Sequence, residues 1–166
     1  LQGLKGKQRH EVRRKLRRLQ ESGRVRLRRV DAADEIESAM DAFAALFTAN
    51  RQDKSQFWDR TMDAFFRSLA EITARERILK LFFLELNAAA AATVICFDYN
   101  RTRYLYNSGY DRRFAGLSVG VLSKVLSIRQ AIEEGLERYD FLKGNEAYKE
   151  RLGGVSWEIY RCRCAL

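Results

Sequence analysis

RTRYLYNSGYDRRFAGLSVGVLSKVLSIRQAIEEGLERYDFLKGNEAYKERLGG, residues 101–154, is the stretch that decides the fold. It reads as a strand over 103–108, a loop of small residues, an amphipathic helix from about Val119 to Leu136, a short strand over Tyr139–Leu142, and a polar turn carrying Asn145, Tyr148 and Lys149. Val121, Leu122, Val125, Ile128 and Ile132 recur at helical spacing and form the expected buried face, with Gly135 at or near the helix end. Two strands joined by a helical crossover lie parallel. The helix opens on Gly116-Leu117-Ser118-Val119-Gly120. First-turn amides have no internal partner and the helix dipole favours an anion there, so the loop is a candidate phosphate site. Gly116 and Gly120 allow close backbone approach, and successive N–H groups make an anion nest. Taken alone, G-L-S-V-G is also what any helix start favours, with Ser118 as an ordinary N-cap.

Upstream, Ile78–Leu86 and Ala91–Tyr99 read as consecutive strands joined near Asn87, and Asn100-Arg101-Thr102 turns the chain into the strand at 103. That is an antiparallel meander, although its first turn lacks glycine. Asp31 is the expected N-cap of a helix reaching about Asn50, with Ile36, Met40, Phe43 and Phe47 inward. After a polar break over 51–56, a second helix turns Trp58, Met62, Phe65, Leu69 and Ile72 inward. Val12, Leu16 and Leu19 stripe a basic helix over 7–21, stopped by Ser22-Gly23, and Arg24–Val30 reads as an edge strand. Val155–Cys164 is expected as a last antiparallel strand at the far edge. The fold class is α/β in a single domain: a mixed, mostly antiparallel sheet with helices on both faces.

The 166 residues are enough to bury a core without staples, and 46% hydrophobic content is that of a globular chain. No apolar run is long enough to span a membrane, and no signal-peptide pattern is visible. Cys96, Cys162 and Cys164 are too few and odd in number for a disulfide framework, so a reducing, cytoplasmic location is expected, with thiols buried or half-buried. Cys162 and Cys164 share one strand face, but further ligands are lacking and His10 is the lone histidine, so no metal is expected. The net charge of +9 is localised: residues 1–30 hold twelve Lys/Arg against two Asp/Glu, and the rest holds nineteen against twenty. The chain begins at Leu1, so it is expected to be trimmed or to be the C-terminal half of a longer tandem protein.

The block YNSGYDRRFAGLSVG, the helix after it and YDFLKGNEAYKERLGG together resemble the CelD/BcsL-like acetyltransferases of the GNAT superfamily, relatives of the FemAB-type transferases. RHEVRRKLRRL resembles the basic helix that opens their catalytic half. The resemblance spans about Lys7 to Gly154. It implies a GNAT fold with a splayed parallel strand pair and an acyl-CoA, most simply acetyl-CoA, as co-substrate. The pantetheine would pair near Asn107, Ser108 and Gly109, and the pyrophosphate would meet the loop from Gly116 through Leu117, Ser118 and Val119 to Gly120. The family commonly has proline where Val119 and Ala147 stand and arginine where Lys143 stands. It also keeps a basic and aromatic cluster where Arg51, Lys54 and Trp58 fall, which would line the acceptor side; Trp58 equally fits its helix's apolar stripe.

Acyl transfer needs a proton acceptor for the nucleophile, a site for the oxyanion and a proton donor for the leaving thiolate. Tyr148 is the candidate donor and Glu146 or Asp140 the candidate base. Lys143, Asn145 and Lys149 are candidates for holding the substrate. Against these stand ordinary roles: Asp140 as a cap, Tyr148 as packing, the lysines solvated. The expected acceptor is an amine or hydroxyl on a sugar, a cell-envelope or exopolysaccharide precursor, or a small metabolite. The charge on helix 9–18 (Arg13, Arg14, Arg17 and Arg18) invites a tRNA or another anionic surface, which a FemAB-like aminoacyl transferase would use. A third alternative is a GNAT-like domain that binds without catalysing.

Overall fold

The computed structural model describes residues 4–30, 33–49 and 58–164. The expectations for Asp31, Arg51, Lys54 and the polar break lie outside the described residues. The elements run α1 (Gly6–Glu21), β1 (Val25–Val30), a 3-10 turn (Ala33–Glu35), α2 (Ile36–Thr48), α3 (Arg60–Arg75), β2 (Leu79–Leu86), β3 (Ala89–Tyr99), β4 (Thr102–Tyr110), a second 3-10 turn (Arg112–Leu117), α4 (Val119–Glu133), β5 (Arg138–Asp140) and α5 (Ala147–Arg151). The sheet order is β1-β2-β3-β4-β5; the first four strands are antiparallel and β5 is parallel to β4.

Helices cover both faces. On one, Ile36, Met40, Phe43 and Phe47 of α2 and Phe66 of α3 pack on Leu81, Phe83 and Ile95. On the other, Leu19 of α1 and Val119 and Leu122 of α4 pack on Leu84, Leu86 and Ala92. β2 is apolar on both sides for this reason, which is why L-F-F-L runs unbroken through it. The two hairpin turns without glycine are made by Asn87-Ala88 (φ 52° and 66°) and Asn100-Arg101 (φ 48° and 58°), two residues of positive φ each, as a type I′ turn requires. α4 ends on Gly135 (φ 75°), with Gly135 N–H donating to Ile132 O and Leu136 N–H to Ala131 O.

Four expectations are corrected. Residues 155–164 form no strand: they are exposed throughout, Trp157 at 88%, and alternation without a neighbouring backbone to pair with does not make one. Cys162 and Cys164 are therefore exposed rather than half-buried, while Cys96 is fully buried. In α3 the inward face is Phe66 and Ala70, with Phe65 and Ile72 outside, because Phe66 joins the aromatic cluster of Phe43, Phe47 and Trp58. In α4, Ile132 is exposed and Ser123, Lys124 and Ser127 are buried instead, each with a hydrogen bond of its own.

Candidate active site

β4 and β5 share only three register pairs, Thr102 with Arg138, Arg103 with Tyr139 and Tyr104 with Asp140. Beyond them the strands part. β4 carries an extra residue: Cys96 faces Leu105 and Ile95 faces Asn107, so Tyr106 is a bulge. A bulge bends its strand and re-aims the side chains beyond it. β5 stops where Asp140 Oδ1 accepts the Leu142 amide at 2.7 Å and Leu142 turns the chain with φ 55°. Asp140 therefore ends the strand by an Asx turn and lies exposed. The gap is a cavity of about 520 Å³, walled by Leu105–Ser108 and Tyr110, by Ser118–Val121 and Lys124, and by Phe141–Lys143, Glu146, Tyr148 and Lys149.

The loop meets this cavity at the start of α4. Ser118 is not a side-chain N-cap. It sits in the left-handed region (φ 57°, ψ 31°), its amide donates to Ala115 O, and its carbonyl accepts from Val121 and Leu122. A non-glycine residue in that conformation is strained, and such strain gathers at ligand sites. Among the described residues the amides of Val119 and Gly120 have no protein acceptor. Gly116 is exposed, and a Cβ there would meet nothing within 4 Å. The arrangement suits an anion. Leu117, in contrast, packs into the core between α1 and α4.

The polar side chains divide by what already holds them. Tyr148 is half-buried, and burial first, then Glu146 and Cys96, push its phenol up to about 12. It stays protonated at neutral pH and can donate a hydrogen bond. Glu146 is exposed and paired with Lys149 at 2.9 Å; that hydrogen bond holds its carboxyl below the usual range, so it is an ionised, weak base. The Lys149 ammonium is buried and donates to the carbonyls of Leu142, Lys143 and Gly144. Through these bonds Lys149, which the sequence offered as a substrate-holding candidate, ties the loop together. The Ser108 amide is engaged as well, donating to Asn107 Oδ1 at 2.9 Å.

Gly109 serves packing: a Cβ there would lie 2.5 Å from the backbone of Leu46, so α2 crosses β4 at this point. Lys143 is exposed on the cavity rim. Asn145 and Asp140 line a second cavity of about 560 Å³ beside β5, not the first. Trp58 stacks among Phe43, Phe47 and Phe66 and donates Nε1–H to Asp63 at 3.1 Å, away from both cavities. Lys124 was missed. It is buried, lines the cavity, donates to Gly120 O at 2.7 Å and lies 5.0 Å from the Tyr148 ring centroid. The signal for it was a cation among the apolar residues of α4's inward face.

A family model for the acetyltransferase (GNAT) domain matches residues 6–150. The chain belongs to that family. The GNAT domain is an acyltransferase, and its cleft between parting parallel strands is where the loop and Tyr148 converge. No curated protein matches the chain in sequence. Solved structures share its fold at low identity. An aminoglycoside N-acetyltransferase in complex with CoA is 16% identical with a TM-score of 0.59, covering 85% of this chain and 96% of that one. An aminoglycoside acetyltransferase from an uncultured soil metagenomic sample, in complex with sisomicin, is 11% identical with a TM-score of 0.59, covering 86% and 96%. A ribosomal-protein-alanine N-acetyltransferase from Brucella melitensis biovar Abortus 2308 is 11% identical with a TM-score of 0.55, covering 86% and 100%.

Proposed function

We propose that this GNAT acetyltransferase uses acyl-CoA, acetyl-CoA first, to acylate an amine or hydroxyl of a sugar-like small molecule. The observation that carries the reading is the cavity where β4 leaves β5, with the unsatisfied Val119 and Gly120 amides at one end and Tyr148 in its wall. Those amides and the open approach over Gly116 suit a pyrophosphate. The bulged edge of β4 suits the pantetheine arm. The acceptor nucleophile attacks the thioester carbonyl, the C–S bond breaks, and the Tyr148 hydroxyl donates a hydrogen bond to the departing thiolate. Glu146, ionised and exposed, takes the acceptor's proton or passes it to water.

Support for the acceptor class is coarser: two of the fold neighbours named above are aminoglycoside acetyltransferases. The CelD/BcsL-like pattern of the sequence adds envelope or exopolysaccharide precursors to the same class. A FemAB-like reading is favoured by one feature, the exposed Arg13, Arg17 and Arg18 of α1, a helix that packs against α4 and the turn leading into the anion loop. Three free thiols suit a reducing compartment, and we place the enzyme in the cytoplasm. Among the described residues no helix is long and apolar enough to cross a membrane.

Calorimetric titration with acetyl-CoA and CoA tests the reading. Saturable binding with a Kd below about 1 mM is expected. No heat with either ligand at millimolar concentration would refute it. Salt-sensitive tRNA binding without CoA affinity would favour the FemAB-like alternative.

A further inference from the structure

Lys124 is a cation that the acyl-transfer scheme leaves without a task. It is only 6% exposed, yet it lies near the N-terminus of α4, the end where the helix dipole disfavours positive charge. Burying an ammonium is costly unless acceptors or anions compensate it. A methionine would fill the same volume, so packing alone does not ask for lysine here. Its ammonium reaches back to Gly120 O at 2.7 Å and stands 5.0 Å from the centroid of the Tyr148 ring, in the wall of the cleft. It therefore lies between the anion loop and Tyr148.

We propose that Lys124 is a positioning residue for the leaving group, its charge set against Tyr148 so that the cleft favours the thiolate form of the CoA sulfur. This rests on the acyl-CoA reading. In the reaction the bond from acceptor nitrogen or oxygen to the carbonyl carbon forms and the C–S bond breaks. The bonding pair goes to sulfur, which leaves as a thiolate beside the Lys124 ammonium and accepts a hydrogen bond from the Tyr148 hydroxyl. The acceptor's proton leaves through Glu146 or directly to water, and water protonates the sulfur once CoA is released. A thiolate is an anion that a neighbouring ammonium stabilises.

The charged and titratable groups around Tyr148 act with different signs. Glu146, before α5, and Cys96, on β3, raise its affinity for the proton. Lys124, on α4, faces the ring at 5.0 Å and also helps to hold the Glu146 carboxyl down. Lys149 is committed to Glu146 and the loop carbonyls, and Lys143 sits exposed on the rim.

The test compares the binding of CoA and acetyl-CoA by calorimetry across pH in wild type, Lys124→Met and Lys124→Arg. Acetyl-CoA has no thiol to ionise, so it corrects for every other titrating group. Wild type is expected to bind CoA with its thiol pKa about one unit below that of free CoA, so CoA gains about tenfold over acetyl-CoA as pH rises through the free thiol's pKa. Lys124→Met should flatten this gain while still binding acetyl-CoA, and Lys124→Arg should keep it. A purely structural lysine would leave the pH dependence identical in all three proteins, and that result overturns the proposal. A flat wild-type profile overturns it as well. Failure of wild type to bind either ligand would remove the acyl-CoA reading and this inference with it.

Discussion

Lys149 reaches three carbonyl oxygens, of Leu142, Lys143 and Gly144, at 3.1, 2.9 and 3.2 Å, and Glu146 Oε2 at 2.9 Å, while remaining 8% exposed. Methionine at this position keeps the stem and removes every donor. A hydrogen bond involving a charged group contributes about 1.5–3 kcal/mol, and a buried carbonyl left without a donor costs a similar amount. The three carbonyls belong to exposed residues, so water replaces part of what is lost, and about 2 kcal/mol is expected rather than the sum. Glu146 is more than half exposed, so solvent screening keeps its ion pair to a small addition to that figure. For a domain of this size about 2 kcal/mol lowers Tm by roughly 4–8 °C.

Urea unfolding of wild type and Lys149→Met gives the difference, and amide exchange over 142–144 locates it. The pH dependence has a definite sign. The folded-state carboxyl of Glu146 is held below its unfolded value by Lys149, so its contribution is complete above about pH 5 and fades as pH falls through the folded value. The gap between the two proteins should therefore narrow in acid. An unchanged urea midpoint together with unchanged exchange of the loop amides would refute the account of Lys149 as the tie that shapes the cleft wall.

The geometry sets three further expected outcomes. A Cβ at Gly116 meets nothing within 4 Å, so Gly116→Glu should hold its stability while a carboxylate beside the anion loop weakens CoA binding at least about tenfold; the paired control Gly120→Ala, whose Cβ would lie 2.7 Å from the Tyr110 ring, should lose about 1–3 kcal/mol of stability in the same urea assay. Ala88→Gly relieves a left-handed alanine and should raise stability by about 0.5–1 kcal/mol, read as a higher Tm; a lower Tm would count against a strained turn. Arg103→Leu leaves the carboxylate of Asp98, held at 2.8 Å by two parallel bonds, beside that of Glu134 and without its partner, and should cost about 2–3 kcal/mol in urea; a cost under about 1 kcal/mol would show that these carboxylates need no partner.

What could be read from the chain beforehand depended on whether a residue's neighbours lie close in sequence. The α1 stripe of Val12, Leu16 and Leu19, the α2 face and the parallel return of β5 rest on local periodicity or on a handedness rule, and all are present. The inward face of α3 was misread by one residue because Phe65 and Phe66 are equally apolar, and the choice between them is made by Phe43 and Phe47 in another helix. The segment 155–164 had the right alternation and no partner, which a single chain segment cannot reveal about itself. At the cleft, the loop and the Tyr148 turn were legible because dipole and composition are local properties. Lys124 and Lys149 were not, because what each ammonium does is fixed by carbonyls and a ring that the fold brings to it. The alternative role of Ser118 as an ordinary N-cap does not hold, because the bend into α4 uses its backbone and not its side chain.

The extra residue at Tyr106 does more than bend a strand. Before it, the odd positions of β4 look toward α4: Arg103 donates to Ser127 O, and Leu105 packs with Phe82 and Cys96. After it the assignment is reversed: Gly109 lies against α2, and Tyr110 against Gly120 of α4. The strand thus changes reading frame once, in the middle of the cleft. A single-residue deletion or insertion between Thr102 and Tyr110 would exchange the two faces downstream, turning Tyr110 toward α2, where only a glycine fits. Point substitutions here will be graded in their effects, but changes of length in this strand should be close to all-or-none.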